Sequence, residues 1–262
     1  MNKSMPLPID IRLMNFAATA LVVVSVSLML AGGIGWLLQH PVFTIQSITV
    51  QGEVTRNNAV TLRANVMPQL SGNFFTLDLK RARDAFEAVP WVRGAVVHRD
   101  FPNKLKAVLL EHEPLALWGD EGSSKMVNQQ SQVFEANIEE VDVDALPRLK
   151  GPDNQSALVV RMFRELVPIF GAVDLRIDQL ELTPRGSWRV LTDSGAQLEL
   201  GRGNEVEVAA HVKIFFRTLS QIAARYGRTP SALAGADLRH KDGYAVRLRG
   251  VTTLEADGKK SP

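Results

Sequence analysis

At 262 residues the chain is long enough for two modest domains, each with its own core. Its 30 Lys and Arg against 28 Asp and Glu leave a net charge of +2 with no long block of one sign, too small a bias to argue for nucleic acid as a partner. Cysteine is absent, which excludes disulfides, thiolate catalysis and Cys-ligated metals.

Residues 13 to 38, LMNFAATALVVVSVSLMLAGGIGWLL, carry no charge. As a helix they extend roughly 39 Å at about 1.5 Å per residue, enough to cross a bilayer, and the apolar run is longer than that of a cleaved signal peptide. Lys3 and Arg12 precede the run, and apart from His40 the next basic side chain is Arg56, so residues 1–12 are expected in the cytoplasm and everything after about residue 40 across the membrane. Trp36 suits the outer interface.

Phe43 to Gly52 reads as a strand rich in Ile, Val and Thr. Thr55 is placed to cap a helix with Ala59, Leu62 and Val66 at helical spacing, interrupted at Met67–Pro68. Thr76 is a candidate cap for a second helix whose stripe is Leu79, Ala82, Phe86 and Val89, and Pro90 ends it. Val92 to Arg99 and Leu105 to Glu111 follow as strands around a turn at RDFPN, and Trp91 is expected to plug the helix–sheet junction. The resulting order is β-α-α-β-β.

In the second half, Leu158, Met162, Leu166 and Ile169 form a helical stripe with Asn154 or Ser156 as candidate caps. A meander of strands is expected next: Leu175 to Leu182 with a break near Asp178, then WRVLT, then AQLEL after the turn at Asp193–Gly195. A helix over about 205–226, with Val208, Val212, Phe215, Leu219 and Ile222 on one face, ends at Gly227. The last hairpin is ADLRH, KDG, YAVRLRG, whose final strand sets Tyr244, Val246 and Leu248 on one face and Ala245, Arg247 and Arg249 on the other.

No catalytic motif emerges. His40, His98, His112, His211 and His240 lack metal-ligand spacing, so no metal site and no cofactor are expected. G-x-S-x-G and S-x-x-K are missing, Gly201–Gly203 reads as a turn, and the acidic run Glu139 to Asp144 lacks the glycine and terminal glutamate of a calcium loop. What remains is binding at a sheet edge: an incoming peptide adds a strand beside the last one, or the polar tail after Gly250 folds back and shields it.

These segments together resemble a known family. The β-α-α-β-β order, PWV at Pro90 to Val92, R-x-F-P-x-x-L from Arg99 to Leu105 and E-x-E-P-L-A-L-W from Glu111 to Trp118 resemble the POTRA domain of the bacterial FtsQ/DivIB division proteins. MVNQQSQVF from Met126, LPRLKGP from Leu146, RGSW from Arg185, LELGRGN from Leu198 and DLRHKDGYAVRL from Asp237 resemble the family's following β domain, so the resemblance covers nearly the whole chain. It implies an α+β protein with a single transmembrane helix (13–38), a POTRA domain (41–118), a mostly antiparallel β domain with two helices (119–250) and a flexible tail (251–262). It implies a non-catalytic scaffold of the inner membrane at the division septum. In the family the last strand of the β domain receives the C-terminal segment of FtsB, itself paired with FtsL, and the POTRA domain contacts other division proteins such as FtsK. Carried over by position, Arg239 matches an arginine that pairs with an acidic FtsB residue, and Arg185 matches a second arginine on the same surface. The implied partner surface comprises Arg185, Arg239, His240, Asp242, Tyr244, Val246 and Leu248, with His240 and Leu248 standing where tyrosine and tryptophan are usual. Two rival readings are an anchored envelope enzyme acting on peptidoglycan and a POTRA-type secretion subunit.

Overall fold

The computed structural model describes residues 9–52, 55–56, 59–70, 73–240 and 243–251. Helix α1 (Ile9–Leu38) contains the apolar run Leu13–Leu38, with a mean hydropathy of 2.2 and side chains exposed all round. A helix that is apolar on every side, with its backbone groups bonded internally, is what a bilayer accepts. Lys3 lies outside the described residues.

The chain forms two units, one that includes α1 and ends at Glu111 and the other beginning at His112. In the first, β1 (Ser47–Gly52), α2 (Ala59–Val66), α3 (Leu79–Glu87), β2 (Val92–Asp100) and β3 (Lys104–Glu111) reproduce the expected order. The sheet runs β1-β3-β2, with β1 parallel and β2 antiparallel to the central β3. Leu105, Ala107 and Leu109 of β3 are fully buried at alternate positions, and Leu62, Val66 and Phe86 close over them from the two helices. Trp91 is 3% exposed and has φ +71°, with the Arg56 guanidinium 4.4 Å from its ring centroid.

Local details depart from the sequence reading. β1 starts at Ser47 because Pro41–Phe43 forms a 3-10 turn. Thr55 N–H and Oγ1 both donate to Glu111 Oε2, at 3.0 and 2.9 Å, tying the segment to the end of β3, and residues 57–58, which lead from it into α2, lie outside the described residues. Asp78, directly before the first helical residue, caps α3 by accepting from Lys80 and Arg81 N–H. Thr76 instead belongs to a turn in which Asn73 Oδ1 accepts from the N–H groups of Phe75 and Thr76.

The second unit holds β4 (Pro114–Trp118), β5 (Lys125–Asn128), β6 (Val133–Glu135), β7 (Arg148–Lys150), α4 (Ser156–Gly171), β8 (Ile177–Leu182), β9 (Trp188–Thr192), β10 (Gln197–Gly201), α5 (Glu205–Arg225), β11 (Leu233–Asp237) and β12 (Ala245–Leu248). They form a nine-stranded sheet in the order β12-β11-β10-β9-β8-β7-β4-β5-β6. Most neighbours are antiparallel, with parallel pairs at β4–β7, β7–β8 and β10–β11. β4 pairs with β5 and β7, so residues 114–118 belong to this sheet rather than to the three-stranded one. The expected break near Asp178 is a register irregularity between Ile177 and Gln179.

Helices α4 and α5 carry much of one side of this core: Leu166 and Phe170, Val212 and Phe215 pack with Trp188, Val190, Leu198 and Leu200. The intervening positions of β8–β10 are polar except Leu191, and Arg189 bridges Glu181 and Glu199 there, the alternation expected of a sheet with one solvated face. α5 opens on a capping box between Asn204 and Glu207. Neither Asn154 nor Ser156 caps α4; Asp153–Gln155 leads in as a 3-10 turn that satisfies the Ser156 N–H, and Ser156 Oγ donates to the Ser131 carbonyl.

Candidate functional site

β12 is the last strand of the nine-stranded sheet, and among the described residues its only strand neighbour is β11. Its inner face is anchored: Leu248 is 8% exposed in the core, and the half-buried Tyr244 ring lies 5.3 Å from Phe215 and 5.7 Å from His211 of α5. Ala245 and Arg247 point to the exposed side. This is the division of faces read from the alternation in the sequence.

Backbone direction follows from two hydrogen bonds. Arg249 N–H donates to the Ala232 carbonyl on the β11 side, and Leu238 N–H donates to Glu199 beside β10. Alternation along each strand then makes Gly235–Arg247 and Asp237–Ala245 the bonded pairs and turns the N–H and C=O of Val246 away from β11. The register irregularity sits between Leu233 and Gly235 on β11, which leaves β12 regular.

At the end of the sheet where β12 begins, but across β8 to β11 and without a lining residue from β12, is a groove of about 730 Å³ lined by Arg185, Arg189, Arg202, Arg239, Glu199 and His211, among others. Arg185 comes from the exposed β8–β9 turn and Arg239 from just beyond β11, so the two arginines named from the sequence line one concavity. Arg239 is held by Asp237: Nη2 to Oδ2 is 2.5 Å and Nε to Oδ1 2.9 Å. The hydrogen bond from Arg239, helped by its backbone N–H and its charge against a smaller burial cost, pulls the Asp237 carboxyl from 3.8 to about 2. Among the described residues, Arg185 and Arg202 make no ion pair, so the groove keeps uncompensated positive charge.

His240 is exposed directly after Arg239; Asp242 lies outside the described residues. Leu248 faces the core, so what it offers at the edge is backbone. Three contributors were not named as site residues from the sequence. Asp237 aims Arg239, and its i, i+2 spacing from that arginine was the available signal. Gly201 has φ +87°, and a Cβ there would come within 3.4 Å of the Arg239 Cα. Arg202 adds a further guanidinium that makes no ion pair among the described residues. Among the described residues no group of His, Asp or Glu is arranged to hold a metal ion.

One apolar helix, a β-α-α-β-β unit and a larger mixed sheet define a POTRA-bearing protein with, among the described residues, a single candidate membrane span. Comparison with known proteins specifies it further. Residues 43–112 match the FtsQ-type POTRA domain, and residues 116–239 match the C-terminal region of cell division protein FtsQ/DivIB. Cell division protein FtsQ of Thiomonas arsenitoxydans is 38% identical over 248 residues, covering 94% of this chain and 90% of that protein. Those of Burkholderia pseudomallei and Bordetella pertussis are each 35% identical, covering 94% and 96% of this chain and 96% and 97% of the relatives. The chain belongs to the FtsQ family of cell division proteins, and its role is in the divisome.

Proposed function

We propose that the chain is a non-catalytic divisome scaffold that takes the C-terminal segment of FtsB, with FtsL as that partner's companion, as an added strand along β12. The observation that carries this reading is the outward backbone of Val246 on a regular end strand; at the same end of the sheet a groove holds Arg185 and Arg202, which make no ion pair among the described residues. Main-chain hydrogen bonds would supply affinity, and an acidic side chain entering the groove would fix register against Arg239 and Arg185. Asp237 already orients Arg239, so the guanidinium is presented with little further loss of side-chain freedom.

Strand addition has a signature that a side-chain contact lacks. With an FtsB C-terminal peptide bound to the full chain in detergent, the amides of Val246 and Leu248 should exchange with solvent much more slowly than in the free protein. Unchanged exchange at both amides under saturating peptide would sink the mechanism.

The reading includes a topology with the amino terminus in the cytoplasm and both folded units on the far side of the inner membrane, at the septum, where FtsK and other division proteins are further candidate partners of the POTRA unit. A reporter active only outside the cytoplasm, fused after Pro262, should be active; activity only from a cytoplasm-specific reporter would reverse the orientation.

A further inference from the structure

The turn at the start of the POTRA sheet carries an aromatic group that its own core does not use. Phe43, Phe74, Phe75 and Phe101 pack edge to face: Phe43–Phe75 centroids are 5.0 Å apart, Phe74–Phe75 5.2 Å and Phe74–Phe101 5.7 Å. Phe74 is 9% exposed, whereas Phe75 is 45% and Phe101 70% exposed, with Val42 beside them at 49%. A single exposed aromatic needs no explanation, but a contiguous patch flanked by charged and polar residues, here Asp100, Asn103 and Lys104, marks a contact surface.

The topology says what it faces. The chain enters β1 from the end of α1, and parallel pairing sets Ser47 against Lys104 at the start of β3. The β2–β3 turn with Phe101 therefore lies at the end of the sheet where the chain arrives from the membrane. Gln46 N–H donates to the Asn103 carbonyl, Phe74 N–H donates to the Phe43 carbonyl, and the Asn73 side chain donates to the carbonyl of Leu38, the last residue of α1. The aromatic turn is thus bonded to the end of the helix itself.

Depth follows from length. The run Leu13–Leu38 extends about 39 Å against a hydrocarbon layer of about 30 Å, so its outer end reaches the headgroup layer. Trp36 is on that last stretch, 69% exposed, as interfacial tryptophans are. A patch bonded to Leu38 is held at the same level.

We propose that Phe75 and Phe101 insert into the phospholipid interface of the bilayer that α1 crosses, pinning the POTRA unit to the membrane surface in one orientation. Apolar rings at the headgroup–acyl boundary are removed from water as they would be in a protein core, and the flanking charged and polar groups remain hydrated. The anchor then has two parts, a helix that sets position and a ring patch that restrains tilt and rotation. The inference rests on α1 being the span.

The chain has no cysteine, so single introduced cysteines give unique spin-label sites. The full chain, reconstituted in phosphatidylethanolamine–phosphatidylglycerol vesicles, would carry the label at Phe101→Cys, Phe75→Cys, Val96→Cys or Val23→Cys. Collisions with oxygen, which partitions into lipid, and with a water-soluble nickel chelate are compared. Labels at 101 and 75 should favour oxygen and be several-fold less accessible to nickel than the label at 96, which lies on the exposed face of β2. Adding Phe101→Asp should return the label at 75 toward water. Nickel access at 101 and 75 equal to that at 96 would overturn the proposal, as would protection from both reagents, which means cover by protein. A nickel-accessible label at 23 would overturn the span and the proposal with it.

Discussion

The two sheets differ in how much of each can be given over to a partner. In the three-stranded sheet β3 pairs on both sides and buries Leu105, Ala107 and Leu109 completely, so every strand is either the centre of the core or its immediate neighbour. In the nine-stranded sheet the aromatic and aliphatic bulk sits under α4 and α5 around β8–β10, and β12 adds Leu248 and the half-buried Val246 at the margin, with Tyr244 just before it. A small sheet leaves no strand whose loss is cheap; a large one has an end strand whose backbone can serve binding while the core is held elsewhere. Substitutions in the two places should therefore fail differently.

The largest effect is expected in the small unit. Trp91→Ala removes a 3%-exposed indole and should cost about 3 to 5 kcal/mol of stability. Because Trp91 sits at φ +71°, a region hostile to bulky side chains, Trp91→Gly should be less damaging than Trp91→Ala despite removing one more carbon. Amide exchange of β3 reads this unit alone. Unaltered protection of Leu105 to Leu109 in both variants would show that the indole contributes nothing to the core.

Val246→Pro should invert that pattern. It removes an outward N–H and sets a ring in the path of an added strand, losing a hydrogen bond worth about 1 kcal/mol plus the steric exclusion. Peptide binding should fall below detection while amide protection in β8–β10 stays as in the parent chain. Retained binding by the folded variant would move the contact away from β12. Arg239→Glu comes next: its side chain is 56% exposed, so the pair it offers is a solvent-screened rim pair whose loss weakens binding only modestly and shrinks as salt rises. A salt-independent loss would point to a desolvated pair instead.

The elements were more legible than their partners. The stripes Leu79–Ala82–Phe86 and Val212–Phe215–Leu219 follow from local spacing alone, and both lie on helices whose inner faces are buried. Pro114–Trp118 is equally apolar whether it ends one sheet or enters another, and only its pairing with β5 and β7 decides, which no local pattern encodes. The same holds for the surface. Arg185 and Arg239 were named by resemblance, but that they line one groove depends on the order of β8 to β11. The outward direction of Val246 depends on register, which a slip of one residue would reverse. The cap of α3 was misplaced for a smaller reason: Thr76 and Asp78 both sit near its start, and adjacency to the first turn chooses Asp78, whereas α4 starts from a 3-10 turn with no side-chain cap.

The smallest expected effect tests how the groove is set. Asp237 has its pKa lowered from 3.8 to about 2, chiefly by the hydrogen bond from Arg239. A carboxyl whose folded value lies below its unfolded value stabilises the fold fully above the unfolded value, and that contribution is lost as pH falls through the folded value. The Asp237–Arg239 pair should thus hold from neutral pH down to about 4 and weaken between about 4 and 2. With the Arg239 side chain more than half exposed, solvent screening keeps the effect on global stability slight, so the readout should be local. The Asp237 carboxyl carbon resonance reports its titration directly, and Arg239→Ala should move the midpoint up toward 3.8. Arg239 itself stays charged throughout, so in Asp237→Asn its Nε resonance should not follow that midpoint. A wild-type Asp237 midpoint already near 3.8 would mean that the guanidinium is not held in the free protein, and that a partner must pay the ordering of Arg239 itself.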